Sequence, residues 1–210
     1  MKTTSTLLVS LAIGLAACAD SATPTASHAA HAGGVMLSDL ARAGDAQSLA
    51  ALKQFTAKFH DIDVATGAGY GLLKAPPATA QDGCISDPNA GGMGYHYTRG
   101  DNLTDNTIDL LNPEFLVYAP KNGPRQDGVA RTRLAAVEYF LPFTPVWPGP
   151  TDPTFTHAPS LHDFASTSDL PDLPFTATAR FGGWMFHIWL WENNPAGMFE
   201  NFNTSVVLCQ

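Results

Sequence analysis

Gly83-Cys84-Ile85-Ser86-Asp87-Pro88-Asn89-Ala90-Gly91-Gly92-Met93-Gly94-Tyr95-His96-Tyr97-Thr98 is the stretch whose reading decides the fold. Its glycines, Gly91, Gly92 and Gly94, are too dense for a helix, and no strand-before, helix-after context makes them a phosphate loop. They read as a tight turn with a close backbone approach. His96, between Tyr95 and Tyr97, opens a strand out of that turn. Two later segments are patterned to face it: Leu134 to Leu141, which carries Glu138, and Trp184 to Trp191, which carries His187.

Upstream the periodicity is helical. Leu37, Leu40, Leu49, Leu52, Phe55 and Phe59 follow the three-to-four spacing of one apolar stripe. Gly44-Asp45 breaks it in two with Asp45 as a cap, and Asp61 caps a short helix ending near Gly67 to Gly69. From Gly71 onward short strands take over. Glu114 to Ala119 is one and Leu134 to Leu141 the next, while Thr176 to Trp191 reads as the longest, turning at Asn193-Asn194-Pro195-Ala196-Gly197 before a short return to Cys209. Asp101, Asp105 and Asp109 lack the ligand spacing of a calcium loop and read as turn or cap residues. The expected fold is α+β: N-terminal helices packed on a twisted antiparallel sheet or partial barrel, with one disulfide.

Alternation along the strands nominates the site. Leu134, Ala136, Glu138 and Phe140 share one face, so Glu138 is an acid among apolar groups, costly unless paired or metal-bound. Met185, His187, Trp189 and Trp191 share a face, backed by Trp184, Phe186, Ile188 and Leu190, which predicts a strand covered on both sides. His96, Glu138 and His187 are the ligand types of a three-residue zinc or non-haem iron site. They equally suit proton handling, with histidine as base and glutamate as its orienter. Met185 with His187, and Met93 near His96, would suit copper. Tyr95, Tyr97, Met185, Trp189 and Trp191 are the expected pocket lining. The bland alternative is histidines that hydrogen-bond within an aromatic core, since no HxH, HExxH or CxxC fixes the spacing. Pro145 to Pro174, carrying His157 and His162, is a long proline-rich loop and a candidate lid. No GxSxG elbow is present, and a paired-carboxylate glycosidase would need Glu192 or Asp82 beside Glu138.

The termini set the compartment. Lys2 followed by the apolar run Leu7 to Ala17 is a signal segment too short to span a bilayer as a mature helix. It ends in Leu15-Ala16-Ala17-Cys18, which resembles the lipobox of bacterial lipoproteins, so residues 1–17 are expected to leave and Cys18 to be acylated. The alternative is an ordinary signal peptide cut after a small residue; both export the chain. Ala19 is not the aspartate of inner-membrane retention, which in a Gram-negative cell points to the outer membrane, facing the periplasm. Residues 18–34 are then a tether of roughly 20–25 Å reach, and 35–210 a single domain. With Cys18 lipidated, Cys84 and Cys209 remain in an oxidising compartment and read as one disulfide. The net charge of −8 and the scattered basic residues disfavour nucleic acid as a partner and leave the lipid as the membrane contact.

Gly67-x-Gly69-Tyr70, the Gly83 to Tyr97 block, Pro113-Glu114-Phe115-Leu116-Val117-Tyr118, Val137-Glu138-Tyr139 and His187-x-Trp189-x-Trp191-x-Asn193-Asn194-Pro195-x-Gly197-x-Phe199 together resemble a family of exported bacterial proteins with no assigned activity. The resemblance covers most of 60–209; it implies one domain and the two-cysteine framework and brings no catalytic residues. The function expected is a lipid-anchored binding module with a His/Glu/Trp-lined pocket for a small molecule or metal. A metalloenzyme using zinc, iron or copper, and a structural envelope lipoprotein without ligand, are the two alternatives.

Overall fold

A computed structural model describes residues 45–74, 83–120 and 132–209, all within one compact unit, Asp39–Gln210. The expected signal segment, Cys18, the expected tether, which includes His28 and His31, and Leu37, Leu40 and Asp82 lie outside the described residues.

The helical stripe folds as its spacing predicts. A helix α1 covers 45–56 and runs into a 3₁₀ turn, Ala57–His60. Asp61 then caps α2, Ile62–Gly67, by accepting the Asp63 N–H through its side chain. Leu52 and Phe59 are buried, while Phe55, at the margin of the stripe, stays partly exposed. Burying those two side chains contributes about 1.5–3 kcal/mol each.

Seven strands form one antiparallel sheet that does not close. They are β1 (Gly71–Leu72), β2 (Cys84–Asp87), β3 (Gly91–Thr98), β4 (Phe115–Pro120), β5 (Thr132–Pro142), β6 (Thr176–Thr178) and β7 (Gly183–Ile188). The order is β1-β3-β4-β5-β7-β6, and β2 lies alongside β3. The α+β class and the antiparallel sheet are as expected, and the sheet is open at both edges. The extended run foreseen from Thr176 to Trp191 is instead two strands. Gly182, at φ 67°, turns the chain between them, and the Gly182 N–H donates to the Thr178 carbonyl. The longest strand is therefore β5, with 11 residues. The return toward Cys209 forms no strand; its backbone pairs with the sheet at an isolated bridge, Gly92 to Asn203.

The two faces of the sheet are unequal. One carries the large core: Leu116, Tyr118, Val137, Tyr139, Leu141, Trp184, Phe186 and Ile188, packed under Leu52 and Phe59 from the helices. Leu161, Phe164, Leu170 and Phe175 from the proline-rich segment complete that layer. Tyrosine hydroxyls lock it to the surrounding loops, Tyr118 donating to the Phe59 carbonyl and Tyr139 to the Leu110 carbonyl, each at 2.6 Å. The other face is built from small and aromatic side chains, Val117, Ala119, Ala136, Phe115, Phe140, Met185 and Trp189. That second face holds the site.

Candidate functional site

Strand register brings the nominated trio together. Phe115 on β4 stands opposite Glu138 on β5, which stands opposite His187 on β7. His96 on β3 pairs with Val117, two residues along the same face from Phe115. All three polar side chains are at most 1% exposed. His96 Nε2 lies 3.2 Å from Glu138 Oε2, and His187 Nδ1 lies 3.4 Å from Glu138 Oε1. The carboxylate thus sits between two imidazoles whose ring centres are 6.3 Å apart.

The surroundings fix each ring. His96 Nδ1 faces two acceptors, the Gly94 carbonyl at 3.1 Å and the Gly83 carbonyl at 3.3 Å. Its Nε2 faces the Glu138 carboxyl on the other side of the ring. Gly94 makes that placement possible. It has φ 116°, and a Cβ there would come within 2.5 Å of the Tyr118 carbonyl oxygen on the neighbouring strand. His187 is held differently: Trp189 lies flat against it, ring centres 4.9 Å apart and planes 20° off parallel. Glu138 lies behind Nδ1 at 3.4 Å, leaving Nε2 on the far side of the ring.

The polar atoms of this centre are close but not saturated. His96 Nε2, Glu138 Oε2 and both ring nitrogens of His187 are buried without a directed hydrogen bond. The separations of 3.2 and 3.4 Å are close approaches that do not amount to directed hydrogen bonds. Among the described residues, no three His, Cys, Asp or Glu side chains aim their donors at one common point. Burial by itself pushes the Glu138 carboxyl up. His187 and, less strongly, His96 outweigh that and bring it down to about 2.

Several residues expected in the lining lie elsewhere. Tyr95 and Tyr97 flank His96 in β3, so alternation turns them to the opposite face, where they pack on the large core. Trp191 also packs there, under Lys53 at 4.6 Å and against His60 at 4.3 Å, because β7 ends at Ile188 and the chain leaves the strand path. Met185 and Trp189 do stand on the face of the trio. Leu134 does not share the Glu138 face: the register slips at Ala135, which reverses its orientation into the large core. Met93 falls in a bulge where Ile85 pairs with Gly94 and Ser86 with Gly92. The proline-rich segment packs on the large-core face, so it is no lid for the trio. Its His162 turns to the Leu170 carbonyl at 2.7 Å and His157 to the Thr156 hydroxyl. Glu192 is engaged by Arg133 Nε at 2.7 Å. Asp105 and Asp109 accept backbone N–H groups of Thr107 and Leu111, as turn residues do, and Asp101 pairs with Arg99.

Sequence reading passed over a second buried acid. Glu114, 2% exposed, precedes Phe115 and so falls on the large-core face; its Oε2 accepts the Phe140 N–H at 3.1 Å. Burial pushes its carboxyl up to about 9, against the backbone N–H groups of Glu114 and Phe140 that pull it down. The alternation that exposed Glu138 would have found it, since Glu114 shares parity with Leu116 and Tyr118. A carboxyl raised this way is protonated in the folded chain and ionised in the unfolded one. Stability is then full below the unfolded value near 4.5 and falls as pH rises toward 9. Glu114→Gln is expected to remove that slope, gaining on the parent by up to about 1.4 kcal/mol per pH unit in urea melts between those limits. Parallel curves for the two proteins would show that Glu114 ionises freely.

No family model, no curated protein and no solved structure matches the chain. Function is therefore read from the side chains alone.

Proposed function

We propose that the protein is an exported, lipid-anchored binding module, held to the envelope through Cys18, whose ligand sits at the His96–Glu138–His187 centre. The supporting observation is the set of buried polar atoms there that lack a directed partner. Each such atom costs about 1–3 kcal/mol when left unmet, so a native centre that gathers several of them is suited to something that meets them. The residue types, two imidazoles and a carboxylate beside a tryptophan face, suit a small molecule with polar hydrogens as they stand; a metal ion of the zinc, iron or copper class would need the side chains to turn, since their donors do not converge among the described residues. His187 Nε2 is the atom that would take it, Glu138 holding Nδ1 and Trp189 the ring plane. His96 would balance the carboxylate from the other side.

Complete burial of the trio favours holding over turnover, because a catalytic metal needs an open position reached by substrate. That ranks the metalloenzyme reading second. Native mass spectrometry of protein prepared without a histidine tag tests the proposal. A bound species, either a metal ion or a small molecule, is expected on the parent chain and absent from a folded His187→Ala variant. A parent chain that carries no added mass, and gains none on exposure to zinc(II), iron(II) or copper, would leave the structural lipoprotein reading in its place.

A further inference from the structure

The second face of the sheet is closed from one side by the end of the chain. Trp189, the residue stacked on His187, donates its indole N–H to the Glu200 carbonyl at 2.6 Å and its backbone N–H to the Met198 carbonyl at 2.8 Å. Val206 is buried among Val117, Ala119, Ala135, Ala136 and Trp189, so it caps both the strand partner of His96 and the stacking partner of His187. Between these contacts the segment is fixed by the Gly92–Asn203 bridge, with backbone bonds of 3.1 and 3.0 Å in the two directions. A Cβ at Gly92 would meet Val206 Cγ1 at 2.8 Å and the Val207 carbonyl at 2.9 Å, so a side chain there would displace the segment. Past Val206 the hold is slight: Val207 and Leu208 are 36% and 40% exposed. What secures the end is Cys209, bonded to Cys84 and donating its N–H to Ser86 Oγ at 3.1 Å. Cys84 follows Gly83, whose carbonyl faces the His96 ring.

We propose that residues 198–209 are a strap over the His96–Glu138–His187 centre and that the Cys84–Cys209 disulfide is its latch. The inference rests on the binding reading above and adds its control: the oxidised chain retains what it holds, and the reduced chain opens. The reductant is a dithiol. Its thiolate attacks one sulfur of the bond and forms a mixed disulfide, and its second thiol displaces the protein sulfur. Cys84 and Cys209 gain two electrons and two protons between them, and the dithiol leaves as its own disulfide. The sheet does not depend on the strap, because β3, β4, β5 and β7 pair with one another directly. Opening is therefore local and starts from the end: Met198, Phe199, Glu200, Phe202 and Asn203 are held by Trp189, Phe186, Asn194, Asn193 and the Gly92 bridge, whereas beyond Asn203 the holds are Val206, the Ser86 hydrogen bond and the disulfide.

Carbethoxylation of His187 by diethyl pyrocarbonate, read by peptide mass spectrometry, tests the latch without needing a ligand. Exposed His157 serves as the internal reference. In the oxidised protein His187 is expected to react far more slowly than His157. Treatment with a dithiol should raise its rate by at least about tenfold while amides of β4 and β5 stay far better protected from hydrogen exchange than those of 198–209. An unchanged rate with the disulfide demonstrably reduced, or a rise that appears only when β4 and β5 are no better protected than 198–209, would overturn the proposal. Val206→Ser, with the disulfide intact, gives a second reading: loosening the anchor should raise the His187 rate by a smaller factor, and no rise counts against the strap. Cobalt(II) uptake, followed by visible absorbance in both redox states, separates the two ideas. Gated His187 reactivity with no cobalt bound leaves the latch standing and counts against metal as the ligand. Cobalt bound equally fast in both states, with ungated His187, leaves the binding centre and removes the latch.

Discussion

Glu138→Ala is expected to destabilise the fold by about 3–5 kcal/mol, the cost of removing the buried carboxyl and leaving the two imidazoles that face it uncompensated. Urea unfolding at neutral pH measures it. The informative comparison is the triple variant His96→Leu, Glu138→Leu, His187→Leu. Replacing a whole buried ionic group by apolar side chains is often neutral, or stabilising by about 1–4 kcal/mol. The triple variant is therefore expected to recover most of what Glu138→Ala loses. Recovery means that the trio is not kept for stability, which is the condition a binding centre meets and a purely structural one does not. A triple variant at least as unstable as the single one would place the trio among the supports of the core. Acid adds a second signature. The depressed Glu138 carboxyl contributes stability above the unfolded value of 4.5, and that contribution is lost as pH falls toward about 2. Glu138→Ala should flatten the acid limb of the stability curve in that window, and an unaltered limb would show that the carboxyl is not held ionised.

Cys209→Ser carries the other large effect. The bond joins residues 125 apart in sequence, and closing a loop of that length is worth roughly 5 kcal/mol in the chain-entropy account. Set against a typical total of about 5–15 kcal/mol, the loss takes a large part of the stability. Because the effect belongs to the unfolded chain, Cys84→Ser, Cys209→Ser and the double variant should lose the same amount rather than add. The denaturant slope should rise together with the loss, since the uncrosslinked chain exposes more surface. A loss below about 1 kcal/mol would mean that the reduced unfolded chain stays compact or that native packing compensates. Hydrogen exchange separates stability from the strap: in all three variants β4 and β5 should lose protection only by the amount of the global loss, and 198–209 should lose more than that.

Much of this was legible along the chain. Period-of-four spacing placed Leu52 and Phe59 on the buried stripe, and Asp61 stood where an N-cap belongs. Strand alternation singled out Glu138, because an acid on an apolar face is conspicuous whatever lies across from it. Cysteine parity predicted the bond between Cys84 and Cys209. The errors share one cause. Tyr95, Tyr97, Leu134 and Trp191 were assigned to the site face by proximity or by uninterrupted alternation, and a bulge at Ala135, an ended strand at Ile188 and the pleat itself turned them away. The Arg180-Phe181-Gly182-Gly183 hairpin was hidden inside a run of aromatic residues that looked continuous.

The sequence by itself determined the class of fold, the residues at risk if buried, and the cross-link, because each depends on local period, residue chemistry or counting. Only the tertiary structure decided that His96, Glu138 and His187 meet, that the proline-rich segment packs on the far face, and that Val206, Leu73, Leu103 and Phe181 pack on the near one. Strand order and register set those relations. They arise from pairings between segments tens of residues apart, where a shift of one position reverses a side chain, and no local pattern along the chain records that choice.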